Sequence, residues 1–309
     1  MTTARASGAA TLPEPEAFLA APRKAIALFG MSGVGKTRLA QMMRGAGGWF
    51  HYSVDYRIAT RYLDEAIVDM FKREAMQSAL LREMLRADAV RVDANIRFSN
   101  LAALSAYVGK PGDPAQGGLA FEEYITRQRR HREAEVRAMG DALEFMAKAH
   151  DLYGYPHFLC DTSGSLVEVV DPDDAEDPVM RGLADKVLFV LIKGEASDEE
   201  ELVRRFIEDP KPIYYNEGFL RELWSAHRAE AGAAADIVDP DEFARSSFRK
   251  LVRWRAPRYR AIAARWGVSV AKSDLAAAQD EPAVLRLIAE ALEVARQPGA
   301  GAAIGASEA

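Results

Sequence analysis

The 309-residue chain has a single cysteine, Cys160. One thiol cannot close an internal disulfide, which excludes a small cross-linked extracellular scaffold. No stretch reaches the roughly 18 apolar residues that a membrane helix needs. Met1 to Ala20 has no charged start followed by an unbroken apolar run, so no secretory signal is expected. The 5 histidines show no metal-ligand spacing. Positive charge is also short: 40 Lys and Arg against 46 Asp and Glu give a net charge of −6. That argues against a general nucleic-acid coat, which needs a positive surface. From these absences we expect a cytoplasmic protein with neither membrane nor nucleic acid as its partner.

What is present is ordinary globular composition, 49% hydrophobic and 28% charged. Residues 1–22 are rich in Ala, Thr, Pro and Glu and read as a flexible leader. Residues 297–309, mostly Ala, Gly and Ser, read as a disordered tail. Short apolar runs lie between: Lys24 to Phe29, Trp49 to Val54, His157 to Cys160, Lys186 to Ile192, and a short Val268 to Val270. Unbroken apolar runs suit strands buried on both sides. Helical patterns alternate with them, at 56–86 and 119–150 among others. Alternation of this kind predicts an α/β fold: a parallel sheet of about five strands with helices on both faces, three layers in all. Residues 64–120, with a Gly- and Pro-rich loop at 109–118, read as a helical insertion.

The most informative segment joins the first strand to the first long helix. It reads Gly30, Met31, Ser32, Gly33, Val34, Gly35, Lys36, Thr37, followed by Arg38. A strand before Gly-x-x-x-x-Gly-Lys-Thr and a helix after it make a phosphate-binding loop of the P-loop NTPase kind. Glycines allow positive φ and close approach of the backbone. Successive N–H groups then hold phosphate oxygens at the positive end of the helix dipole. Lys36 is expected on the β- and γ-phosphates of ATP, and the Thr37 hydroxyl on Mg²⁺. A second metal ligand should end a neighbouring strand. Asp161 has that place, though a turn-capping carboxylate is the alternative. Cys160 beside it is expected in the core.

Asp55 follows the second apolar run, where a parallel sheet gathers its ligands. It could accept a proton from a substrate hydroxyl, or simply cap a helix. The runs Arg127 to Glu135 and Leu251 to Ala263 are basic, and 243–273 holds no Asp or Glu until Asp274. The acidic run 171–178 lacks the register of a calcium loop and reads as solvated.

The order of these segments resembles the shikimate kinase family, within the nucleoside-monophosphate-kinase-like group. The resemblance covers about half the chain, in pieces. It implies transfer of the γ-phosphoryl group of ATP, with Mg²⁺, to a hydroxyl of a small, anionic acceptor. Asp55 matches the family's substrate aspartate. Arg132, with Glu133 or Glu135, matches an arginine before the third strand. Arg255, in Arg255-Ala256-Pro257-Arg258-Tyr259, matches a late arginine. These would hold the acceptor, and Arg204 or Arg205 in the lid region 197–217 would cover the phosphates. Each arginine has a plainer alternative: a solvated helix face for Arg132, stacking on Trp254 or Tyr259 for Arg255, a surface pair for Arg204 and Arg205. The family's glycine triplet after the third strand is replaced by Asp161-Thr162-Ser163-Gly164-Ser165, which implies a rebuilt acceptor pocket. The rival expectation is an ATPase or ATP-dependent switch whose 64–120 insertion meets a protein partner. A weaker one is RNA binding through 243–273.

Overall fold

A computed structural model describes residues 10–231 and 238–297. In chain order its elements are α1 (Pro15–Ala20), β1 (Ala25–Phe29), α2 (Lys36–Gly45), β2 (Trp49–Ser53), α3 (Val54–Arg57), a π-helical turn (Ile58–Tyr62), α4 (Asp64–Ala75), α5 (Ala79–Arg86) and α6 (Ala102–Val108). There follow α7 (Phe121–Asp151), β3 (His157–Asp161), α8 (Leu166–Val169), α9 (Pro178–Ala184), β4 (Leu188–Lys193), α10 (Ala196–Glu208), α11 (Glu217–Ala231), α12 (Pro240–Trp266), β5 (Gly267–Ala271), α13 (Lys272–Ala277) and α14 (Glu281–Arg296). The chain folds as two compact units. The first takes the described residues up to Ser53, Met139–Glu208 and the described residues from Phe248 on. The second takes Val54–Ala138 and the described residues of Asp209–Ser247.

The first unit is built on a 5-stranded sheet in the order β2-β3-β1-β4-β5, parallel throughout. Side chains alternate across a strand, so both faces of a fully apolar strand must be covered. On one face Ile26, Leu28, Leu159, Val190, Ile192 and Val268 pack with Leu39 and Met43 of α2 and Ile288 and Leu292 of α14. On the other, the Phe29 ring lies 6.0 Å from Phe189 and 6.3 Å from Tyr259 of α12. There Tyr52 lies 5.1 Å from Phe145 of α7. The expected α/β architecture, five parallel strands between helices, is therefore the observed one. Cys160 is buried in β3, and its burial pushes the thiol well above the usual range.

The reading of 1–22 as a flexible leader does not extend to residues 10–22. Leu12 and Phe18 are buried in the core, and Arg296 of α14 donates to Leu12 O. Two apolar anchors in a Pro- and Ala-rich stretch suffice to dock a short helix. Residues 1–9 of that leader, and 298–309 of the expected tail, lie outside the described residues.

The second unit is larger than the expected 64–120 insertion, because a second segment joins it. Asp113 N donates to Val238 O, Lys110 Nζ to Pro210 O, and Tyr215 N to Gln128 Oε1. The helix expected over 56–86 is broken. The last carbonyls of α4 are closed by Met76, and the Ser78 hydroxyl caps α5 by accepting from Leu81 N. Along α7, Tyr124, Gln128, His131 and Glu135 form a buried polar stripe at helical spacing. Tyr124 Oη donates to Ile213 O at 2.7 Å, and the His131 ring stacks 4.7 Å from Tyr214. Burial lowers the His131 pKa from 6.5 to about 4. A histidine that folding keeps neutral gives stability that is complete above pH 6.5 and is lost as pH falls towards 4. Replacing His131 by Phe, which keeps the stack, should flatten the fall in urea midpoint between these pH values.

Candidate functional site

β1 ends at Phe29 and α2 begins at Lys36, so the six residues between make one turn at the carboxyl end of the sheet. Gly30, Gly33 and Gly35 have φ of 136°, 86° and 103°. L side chains rarely adopt such angles. Gly30 is also tightly placed: a Cβ there would lie 2.9 Å from Ile192 O of β4. At Gly33 a Cβ would meet Leu202 of α10 at 3.4 Å, so α10 lies against this turn. Gly35 is the left-handed N-cap of α2. The first N–H groups of α2 have no acceptor within the helix and point into the turn with the dipole behind them.

Lys36 is 9% exposed, and its ammonium donates to Gly30 O at 2.9 Å and Met31 O at 3.2 Å. Its side chain therefore arches back over the turn it follows. Thr37 Oγ1 donates to Asp161 Oδ2 at 3.3 Å. Strand order explains this meeting. β3 lies beside β1 with Asp161 level with Leu28, so its carboxylate ends up next to the start of α2. Asp161 is buried, and His51 Nε2 of β2 stands 3.8 Å from its Oδ2. Among the described residues no group of three or more His, Cys, Asp or Glu side chains is arranged to hold a metal ion. A cation at this turn would depend on Thr37, Asp161, water and phosphate oxygens, the ligand set Mg²⁺ favours. The oxygen chemistry of Thr37 and Asp161 fits such an ion.

No protein-family model and no curated protein matches the chain.

The other expected site residues are placed as follows. Arg38 is exposed on α2. Arg204 and Arg205 are exposed on α10. Arg204 is paired with Glu201 and Glu208, each at 2.7 Å, whereas Arg205 has no such pair among the described residues. Arg255 is 3% exposed on α12, and its Nε and Nη2 stand 2.6 Å and 2.5 Å from Glu168 Oε1. Its charge is thus matched inside the protein. Asp55 and Arg132 belong to the second unit. Asp55 is half-buried in α3, two residues past Ser53, which is level with Asp161 in the sheet. Arg132 is exposed on α7, beside the exposed Glu133, while Glu135 is fully buried.

The sequence alone assigns no site role to Glu168, Gly164, Tyr259 or His51. Burial raises the Glu168 pKa from 4.5 to about 7 against the pull of Arg255. Tyr259 and Gly164 stood in segments already singled out, His51 stood as a polar residue inside an aromatic strand, and Glu168 carried no signal.

The second unit also has a cavity of about 390 Å³, lined among others by Tyr62, Met70, Tyr107, Arg127 and Arg130. Its lining holds Arg73, Arg127, Arg130 and Arg137 against Glu65, Asp69, Glu123 and Glu133. Opposite charges balance there, so the cavity selects no ligand of one sign. Among the described residues no helix is long and apolar enough to cross a membrane.

Proposed function

We propose that the chain binds ATP with Mg²⁺ at the 30–37 turn, as a P-loop NTPase does, and transfers the γ-phosphoryl group to a hydroxyl of a small, anionic metabolite. One observation carries this reading. Three positive-φ glycines precede a lysine folded back over the turn, with the next threonine hydroxyl on a buried strand-end carboxylate. A turn that spends so much backbone freedom on exposing main-chain amides suits a polyphosphate.

In this reading Lys36 leaves the carbonyls of Gly30 and Met31 for the β- and γ-phosphate oxygens. Mg²⁺ would neutralise charge on the phosphates, held by Thr37 with Asp161 behind it. Asp55 orients or deprotonates the acceptor hydroxyl. The lid arginine is Arg205, because Arg204 is already gripped by two glutamates. Arg255 enters through Glu168 rather than by touching the acceptor, and Arg132 is left as an acceptor-binding candidate on α7.

A second reading, an ATPase that acts on a protein partner, is favoured by α5. That helix has no buried residue, Leu80 is 65% exposed, and Leu81 and Phe98 are exposed as well.

Purified protein, MgATP and a pool of metabolites separate the two. ADP release that needs one small molecule supports the transferase. Release without any acceptor, or stimulated by a protein, supports the hydrolase. Asp55→Asn should slow phosphorylation of the acceptor by about 100-fold. An unchanged rate would remove Asp55 from the chemistry.

A further inference from the structure

The loop after β3 rests on the phosphate-binding turn. A Cβ at Gly164 would lie 2.3 Å from Ser32 Oγ and 3.3 Å from Ser32 N. A side chain at 164 would have to push the Ser32 hydroxyl aside and crowd its backbone. The contact is held from behind. Tyr259 Oη donates to Gly164 O at 2.5 Å. The hydroxyls of Ser163 and Ser165 share a hydrogen bond of 2.6 Å, and Ser165 N donates to Ser163 Oγ. Thr162 donates to Leu28 O through both its N–H and its hydroxyl, which ties the loop to β1.

α8 starts directly after Ser165 and carries Glu168, which grips Arg255. Arg255 and Tyr259 are four residues apart on α12, so they share one face of that helix. That face therefore holds the 163–168 segment at two points. The Tyr259 ring also lies 6.3 Å from Phe29, the residue that leads into Gly30. Tyr259 thus touches both the entry to the turn and the loop that rests on it.

We infer that Tyr259 and the Glu168–Arg255 pair are positioning residues for the phosphate-binding turn: they press Gly164 onto Ser32 and so fix the path of the main chain that receives the triphosphate. The inference rests on the ATP reading above. It adds a role for three residues remote from the phosphates in sequence, and it explains why a glycine stands at 164. Main-chain amides are useful to a phosphate only when already aimed, and a displacement near 1 Å can lower catalysis about 100-fold.

The test uses the full chain and MgATP. Tyr259→Phe keeps the ring and removes the hydroxyl. Its dissociation constant should rise about fivefold, the worth of one net hydrogen bond. Amide exchange across 30–35 should quicken, with the melting temperature within about 3 °C of the unaltered chain. Gly164→Ala should weaken binding by roughly 10- to 100-fold, because the new methyl displaces Ser32. Ser32→Ala, which deletes the clashing oxygen, should restore most of the binding when combined with Gly164→Ala. A defect at Gly164 that did not pass through the Ser32 contact would not respond to Ser32. If the unaltered chain binds MgATP and neither single variant weakens it, or if Ser32→Ala gives no relief, the positioning role is wrong and the ATP reading survives. If the unaltered chain does not bind MgATP, the ATP reading fails and takes this inference with it.

Discussion

Replacing Lys36 by Ala should lower kcat/KM for MgATP by roughly 1000-fold. The ammonium sits 2.9 Å and 3.2 Å from two carbonyls of the turn, almost fully buried, with its stem arched back over the turn. On moving to the β- and γ-phosphates it would make two charge-assisted hydrogen bonds. Each is worth about 1.5–3 kcal/mol, and their sum near 4 kcal/mol corresponds to about three powers of ten. Part of the loss should appear in binding and part in turnover, because charge on the transferring group is stabilised as well. Lys36→Arg should not rescue, since a planar fork does not replace a compact ammonium in a turn built around it. Equilibrium binding of labelled ATP is the direct check. If Lys36→Ala protein holds ATP as tightly as the unaltered chain, the nucleotide site is elsewhere or absent.

The second large effect concerns stability. Arg255→Met should destabilise the protein by about 3–5 kcal/mol at pH 8, since it strands a fully buried carboxylate. The loss should be much smaller at pH 5. In the unaltered protein, burial raises the Glu168 pKa from 4.5 to about 7, while Arg255 and, more weakly, Arg258 pull it down. An acid whose folded pKa is raised binds more protons folded than unfolded. Its stability contribution is therefore complete below pH 4.5 and is lost as pH rises through about 7. Removing Arg255 removes the pull, drives the carboxyl higher still and steepens that loss. Arg255→Met combined with Glu168→Gln should recover most of the stability and flatten the pH profile, because no buried charge remains. Denaturant melts at pH 5 and pH 8 measure both. Equal losses at the two pH values, or no recovery in the double variant, would falsify the buried-pair account.

The two predictions mark a boundary in what could be read from residue order. The turn at 30–37 was legible because its chemistry is contiguous. Three glycines, a lysine and a threonine within eight residues, between an apolar run and a helical pattern, have few other uses. The strands were legible for a similar reason: a strand covered on both faces must be apolar throughout, and Leu188–Lys193 and Ala25–Phe29 are nearly so. Asp161 was legible as a strand-end acid, and its hydrogen bond with Thr37 follows from β3 lying beside β1.

Arg255 shows where this stops. Its sequence neighbours, Trp254, Pro257 and Tyr259, suggested stacking or an anion. Its partner Glu168 is 87 residues away, in a four-residue helix with no distinguishing pattern. The second unit was hidden in the same way. Nothing in 209–247 announces that Tyr215 and Val238 will hydrogen-bond to Gln128 and Asp113.

Local backbone chemistry and strand apolarity alone were enough to specify a parallel α/β sheet with a glycine-rich turn at the carboxyl end of its central strand, since each depends on residues next to one another. Only the tertiary structure decided that Gly164 rests on Ser32, that Glu168 neutralises Arg255 and that 209–247 joins 54–138. Those contacts depend on loop closure over tens of residues, and many different sequences could have satisfied the same local patterns without making them.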